Sequence, residues 1–273
     1  MPEAKIRLGP AGSGGYSSST FEGVQKLPEL GLQALEVEFV RGVAMGVPLA
    51  KRVGAEAKRL GISLSVHAPY YINLASKEKK KADESKKRIL ESCERMHHMG
   101  GGPVVFHPAY FGGMDKEHVF QVTKEAMLDM KGVITANRWD CALAPETTGK
   151  HSALGSLDET IRLVRETGCC MCVDFAHIYA RNYGKMDYAE TLDKLKPVMP
   201  KLNNHLHCHF SGIEYTSKGE RNHLVMDHHP DFRPLAKEIL KRRLDVTIIS
   251  ESPVTWQDSL KMRRIFEDMG HRF

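Results

Sequence analysis

Short apolar runs alternate with longer amphipathic stretches along the whole chain. The runs are rich in β-branched and apolar residues and predict strands at Lys5–Leu8, Ala34–Val40, Ser63–Val66, Val104–His107, Cys141–Pro145, Cys170–Phe175, His205–Phe210 and Val246–Glu251. The stretches between them repeat apolar positions at helical spacing: Phe21–Leu30, Leu49–Leu60, Lys79–His98, Lys116–Asn137, Leu157–Glu166, Tyr188–Val198, Asp231–Lys241 and Ser259–Met269. No Ser/Pro-rich linker or low-complexity segment interrupts the order. The charged run KEKKKADESKK (77–87) reads as the mixed-charge face of a helix start. Eight strand–helix pairs imply a parallel sheet, and in this length they predict an α/β, single-domain (β/α)8 TIM-type barrel over residues 1–273. An open doubly wound sheet is the alternative, but GPAGSGG (9–15) after the first strand has the wrong spacing for a dinucleotide fingerprint. It reads as a flexible first loop.

Composition narrows the class without changing the fold. With 41% apolar and 27% charged residues in 273, the chain has the make-up of a globular protein with a large core. A net charge of +5 permits an anionic partner without requiring one. MPEAKIRLGP lacks the apolar core of a signal peptide and no apolar run reaches membrane-spanning length, so the expected location is the cytoplasm, with no membrane partner. Six cysteines, three of them within Cys169–Cys172, do not space out as a disulfide framework and read as buried free thiols. Histidine is the unusual count, 14 against 10 Phe and 8 Tyr.

Those histidines fall in a pattern once the strands are drawn. Barrels of this kind carry their chemistry at the carboxyl ends of their strands. The third predicted strand ends in His67, the fourth in His107, the fifth in Glu146 and the sixth in Asp174, with His177 three residues on. The seventh ends in His209 and the eighth in Glu251. Singly, each has an ordinary explanation as a loop or turn residue. Together they would meet on one rim, and burying so many ionisable groups without a cation is costly. Imidazole mixed with carboxylate, and no cysteine among them, is a ligand set for catalytic zinc or a similar divalent ion. Seven ligands exceed one tetrahedral site, so a cluster of two or three ions sharing a bridging carboxylate is expected. Such clusters hydrolyse phosphate esters; hydride-shift isomerisation of sugars is the second reaction they suit.

HAPYYINL, FHPAY, PETTG, VDFAHIYA, HFSG and ESP, in this order at the strand ends, resemble the endonuclease IV family of metal-dependent apurinic/apyrimidinic endonucleases in base-excision repair. The resemblance runs from about Arg7 to the last strand, and the superfamily shares its barrel with xylose-isomerase-like enzymes. It implies a trinuclear zinc site (manganese also fits), with His67, His107 and Glu146 at the first ion. Glu146 would bridge to a second ion held by Asp174, His209 and Glu251. His177 would bind the third, with two ligands from the loop after the seventh strand. For these the sequence offers Glu220 with His223 in GERNH, the preferred pair, or Asp227 with His229 in MDHHP.

The resemblance also implies a monomer acting on duplex DNA that contains abasic sites. Glu146 would be catalytic, with a metal-activated hydroxide cutting the phosphodiester 5′ to the lesion. Tyr70 matches the family position that fills the gap left by an extruded nucleotide, and Arg41 would support it. His205, His207 and His209 alternate and so face one way. His207 is expected to orient a ligand by hydrogen bond and His205 to be structural. The rival activity is a sugar isomerase or epimerase with one or two divalent ions, which would need no wedge at Tyr70.

Overall fold

The computed structural model describes residues 4–273. Its barrel strands are β1 (Ile6–Pro10), β2 (Ala34–Glu38), β3 (Ser63–His67), β4 (Pro103–Phe106), β5 (Ala142–Pro145), β6 (Cys172–Asp174), β7 (His205–Phe210) and β8 (Asp245–Ser250). Parallel pairing joins β2, β3, β4 and β5 into one arc and β6, β7, β8 and β1 into another. Two parallel bridges, Ala11 to Glu36 and Glu146 to Cys172, join the arcs and close the barrel. The predicted (β/α)8 architecture is therefore the one observed. Around it lie α1 (Thr20–Leu30), α2 (Val47–Leu60), α3 (Lys79–His98), α4 (Lys116–Ala136), α5 (Leu157–Thr167), α6 (Phe175–Arg181), α7 (Tyr188–Leu195), α8 (Phe232–Arg242) and α9 (Thr255–Asp268).

Local chemistry explains where the elements stop. Ser156 and Glu159 form a reciprocal capping box at the start of α5, and Gly168 ends it in the left-handed region. Gly9 sits where β1 crosses β2: a Cβ there would lie 1.9 Å from the carbonyl oxygen of Ala34, so only glycine allows the strands to approach. The main apolar core fills the shell between strands and helices, with Phe106, Phe175, Phe210, Phe232 and Phe266 fully buried. Inside the barrel the apolar contribution is a small separate cluster of Val105, Ala144 and Cys172. Small side chains there leave room for polar ones, which is what the site requires.

Several predicted elements differ from the fold; the helices predicted at Tyr188–Val198 and Ser259–Met269, for instance, are Tyr188–Leu195 and Thr255–Asp268. The sixth strand is Cys172–Asp174 rather than Cys170–Phe175, because the Asp174 carboxylate accepts from the His177 backbone N–H at 2.6 Å and starts α6. That helix was absent from the predicted set. The stretch after β7, predicted as loop, is an antiparallel hairpin of Gly212–Thr216 and Gly219–Leu224, with an irregular register between Glu214 and Tyr215. The second strand ends at Glu38, two residues before its predicted end. All six cysteines are free thiols. Among the described residues no helix is long and apolar enough to cross a membrane.

Candidate metal centre

Parallel strands present their carboxyl ends at one mouth, and the site is assembled there from the ends of β3 to β8. Glu146, fully buried just past β5, occupies its centre. Its Oε2 lies 2.9 Å from His107 Nε2 and 3.3 Å from His67 Nε2. Its Oε1 lies 3.1 Å from His209 Nδ1 and 3.4 Å from His177 Nδ1. One carboxylate thus offers an oxygen to each of two imidazole pairs. His67 Nδ1 bonds to the carbonyl of Ala68 at 2.8 Å, which leaves Nε2 directed at the cluster.

Among the described residues five sets of side chains bring their ligand atoms within 4.8 Å of one another. Three overlap around Glu146 and Asp174: His67 with His107 and Glu146; Glu146 with Asp174, His209 and Glu251; and Asp174 with His177, His223 and Glu251. In the other two, Glu36 groups with Glu38 and Glu251, and His207 with Cys172 and His209. The hairpin after β7 delivers His223, whose ring centroid is 5.1 Å from that of His177. It also delivers Glu220, whose Oε2 lies 3.1 Å from His177 Nε2 and accepts from the backbone N–H of Gly149 at 2.8 Å. The other sequence pair is not assembled. Asp227 is exposed and bonded to Lys261 at 2.7 Å, and His229 stacks on Tyr179.

Burial and mutual charge set the ionisation of the cluster. Burial would raise the carboxyl of Glu146, but His107 and His209 outweigh it and hold the group well below the usual range. Burial likewise opposes the charge on His67, yet Glu146, Glu38 and Glu36 together push it up to about 10. At Asp174 burial prevails and raises the carboxyl to about 7, despite His177. The Oδ2 of Asp174 is buried without a hydrogen-bond partner. A buried carboxylate oxygen left unpaired among histidines and carboxylates is the donor set a divalent cation satisfies, so the residues fit the metal the sequence implies.

The mouth is an open cleft of about 660 Å³ lined in part by Glu38, His67, Tyr70, His107, His177 and Glu251. Tyr70 is 47% exposed on its rim, with its ring 5.4 Å from that of His67. Arg41 lies in the exposed loop after β2, and that loop is tied to Tyr70 by the bond from Tyr70 N–H to the Val40 carbonyl at 3.3 Å. Lys150 Nζ stands 3.5 Å from Glu220 Oε1.

Two acids went unremarked in the sequence. Glu36 and Glu38 alternate with apolar neighbours in ALEVE, so both point into the barrel. Attention to strand ends alone misses them; their spacing in a buried strand was the available signal. Burial drives Glu38 up to about 8, and its Oε1 is buried without a partner. Glu36 joins His207 and Ser65 beneath the cluster.

The sequence pattern of the family described as xylose isomerase-like TIM barrel matches residues 24–266. An uncharacterised protein of Methanocaldococcus jannaschii is 33% identical over 98% of this chain and 99% of its own. A probable endonuclease 4 of Mycobacterium leprae is 28% identical over 60% of this chain and 64% of its own, just under two thirds of that protein. Among solved structures, endonuclease IV of Thermus thermophilus superposes with a TM-score of 0.75 at 20% identity, covering 96% of this chain and 98% of that one. The 3-keto-D-glucoside 4-epimerase of E. coli superposes with a TM-score of 0.70 at 16% identity, covering 97% and 100%. At these identities the structural likenesses establish the fold.

Proposed function

The chain belongs to the xylose isomerase-like TIM barrel family, and from that membership we propose a metal-dependent endonuclease that cuts duplex DNA on the 5′ side of abasic sites. The observation that carries this reading is Glu146, whose Oε2 faces His67 and His107 while its Oε1 faces His209. That arrangement suits a carboxylate shared between two cations. A lone sugar-binding metal would need only one set.

His67, His107 and Glu146 would hold the first ion; Glu146, Asp174, His209 and Glu251 the second; His177, Glu220 and His223 the third. Zinc suits this mixture of imidazole and carboxylate, and manganese is a workable substitute. Such ions, when bound, activate water at neutral pH and neutralise charge developing on a phosphoryl group. Glu146 is the catalytic residue, orienting the attacking water toward phosphorus. A bond forms between the water oxygen and phosphorus, the bond from phosphorus to the 3′ oxygen breaks, and that oxygen leaves with a proton as a hydroxyl. The other end is a 5′-deoxyribose phosphate. No side-chain nucleophile takes part, so no covalent enzyme intermediate forms. Tyr70, half exposed at the rim, fills the space left by the extruded nucleotide, with Arg41 in support.

A second reading, sugar epimerisation, draws on Glu38. A half-buried acid at the mouth beside Glu251 offers a proton-transfer group of the kind that reaction needs. One experiment separates the two. Protein is incubated with an end-labelled duplex holding one abasic site and, in parallel, with free ketoses, each with and without chelator. We expect chelator-sensitive incision 5′ to the lesion. Intact DNA together with ketose conversion would transfer the assignment to the epimerase.

A further inference from the structure

We propose that Glu36, on the inner face of β2, is a positioning residue for the metal centre: it holds His209 from below so that Nδ1 faces the cation position shared by Glu146 and Glu251. The inference rests on the metal-centre reading above and extends it to a side chain outside those three ligand sets, one that groups instead with Glu38 and Glu251.

Glu36 is fully buried and lies one layer beneath the ligands. Its Oε2 accepts from Ser65 Oγ at 2.7 Å, and His207 Nε2 lies 3.0 Å from the same oxygen. Its Oε1 lies 2.8 Å from His209 Nε2 as an ion-pair contact out of line for a hydrogen bond, and neither atom has a hydrogen-bond partner. The opposite nitrogen of that ring, Nδ1, lies 3.1 Å from Glu146 Oε1 and 3.3 Å from Glu251 Oε2. The ring is thus clamped between a carboxylate below and the ligand cluster above.

The chemistry follows from the two nitrogens of imidazole. An ionised carboxylate can only accept, so it draws the proton onto Nε2 and leaves the lone pair on Nδ1 free for a cation. A carboxylate behind a metal-bound histidine fixes both tautomer and ring orientation. Ser65 and His207 belong to none of the three ligand sets, although the His207 ring packs edge-on against His209; their contribution is to anchor the other oxygen of Glu36.

The test uses Glu36→Gln, which keeps the shape but leaves one oxygen for three donors. Metal-free wild type and variant are titrated with Co2+ against a competing chelator, with ligand-field absorbance reporting each binding step and circular dichroism confirming the fold. The expected result is a loss of about 10–100-fold in affinity for the ion held by His209, with the His67–His107 step unchanged. Ser65→Ala, which removes one anchor and leaves the carboxylate, should show a smaller loss at the same step. It supplies the comparison should Glu36→Gln not fold. A residue that merely filled the barrel would lower stability and leave the affinities of folded protein unmoved; unaltered affinities in the folded variants would overturn the proposal. If the wild type takes up no Co2+ at any step, the metal-centre reading falls and this inference falls with it.

Discussion

Tyr70 stands with nearly half its surface exposed while its ring remains 5.4 Å from that of a candidate ligand, His67. An aromatic held at the lip of a polar cleft gains little from folding, so replacing it tests function with small effect on stability. Tyr70→Ala should weaken binding to an abasic duplex by about 1–3 kcal/mol, the range for base–aromatic stacking, while thermal unfolding stays nearly unchanged. Fluorescence anisotropy with labelled duplex measures the first and calorimetry the second. Glu146 presents the opposite case, a fully buried charge with four imidazoles within 3.4 Å. Glu146→Gln should abolish incision. It should also destabilise the metal-free protein by roughly 3 kcal/mol, because the imidazoles lose their shared counter-charge; urea unfolding in chelator gives the number.

At the scale of elements, the segment after β5 and the hairpin after β7 act together. Thr147 Oγ1 accepts from the Asp174 backbone N–H at 2.8 Å, and the Thr147 carbonyl pairs with His177 Nδ1 at 2.9 Å. Arg181 donates to the carbonyls of Lys150 and Ala153, at 2.7 and 3.1 Å, holding the segment against α6. Gly149 completes the contact by donating to Glu220, and a Cβ there would lie 2.4 Å from the Glu220 carboxylate. Gly149→Ala should therefore expel Glu220 and lower the metal content by one ion per chain without unfolding the barrel. Elemental analysis of purified protein reads this directly; a full complement would show that Glu220 is not a ligand. The same scale explains α6. Asp174 serves as the cap of that helix and as part of the cluster, so strand and helix meet with no loop between them.

Across the whole molecule, closure of the barrel concentrates opposed charges that solvent cannot reach. Bound cations favour the folded chain because the unfolded chain cannot reproduce the site. Each ion at a thousandfold excess over its Kd adds about 4 kcal/mol of stability. Saturating zinc should accordingly raise Tm by roughly 8 °C or more over protein in chelator, measured by scanning calorimetry. Equal Tm in both would mean that the folded mouth holds no ion tightly.

The alternation of apolar runs and amphipathic stretches determined eight strand–helix pairs and favoured a closed barrel over an open sheet, since each period records which side of an element is buried; the two bridges that close it are tertiary. Placement at strand ends was sufficient to point to His67, His107, Glu146, Asp174, His209 and Glu251 as neighbours, because parallel strands in a barrel all open at one mouth. What joins residues across the barrel is invisible to periodicity. Glu36 and His207 are 171 positions apart and meet only when the sheet closes. Which of the two loop pairs lies beside His177 was likewise decided by the fold, which places Glu220 and His223 there, the pair the sequence preferred. The hairpin turns the first pair toward His177, while Lys261 draws Asp227 outward. Spacing along a loop does not specify the path it takes over the barrel; the backbone bonds of that hairpin do.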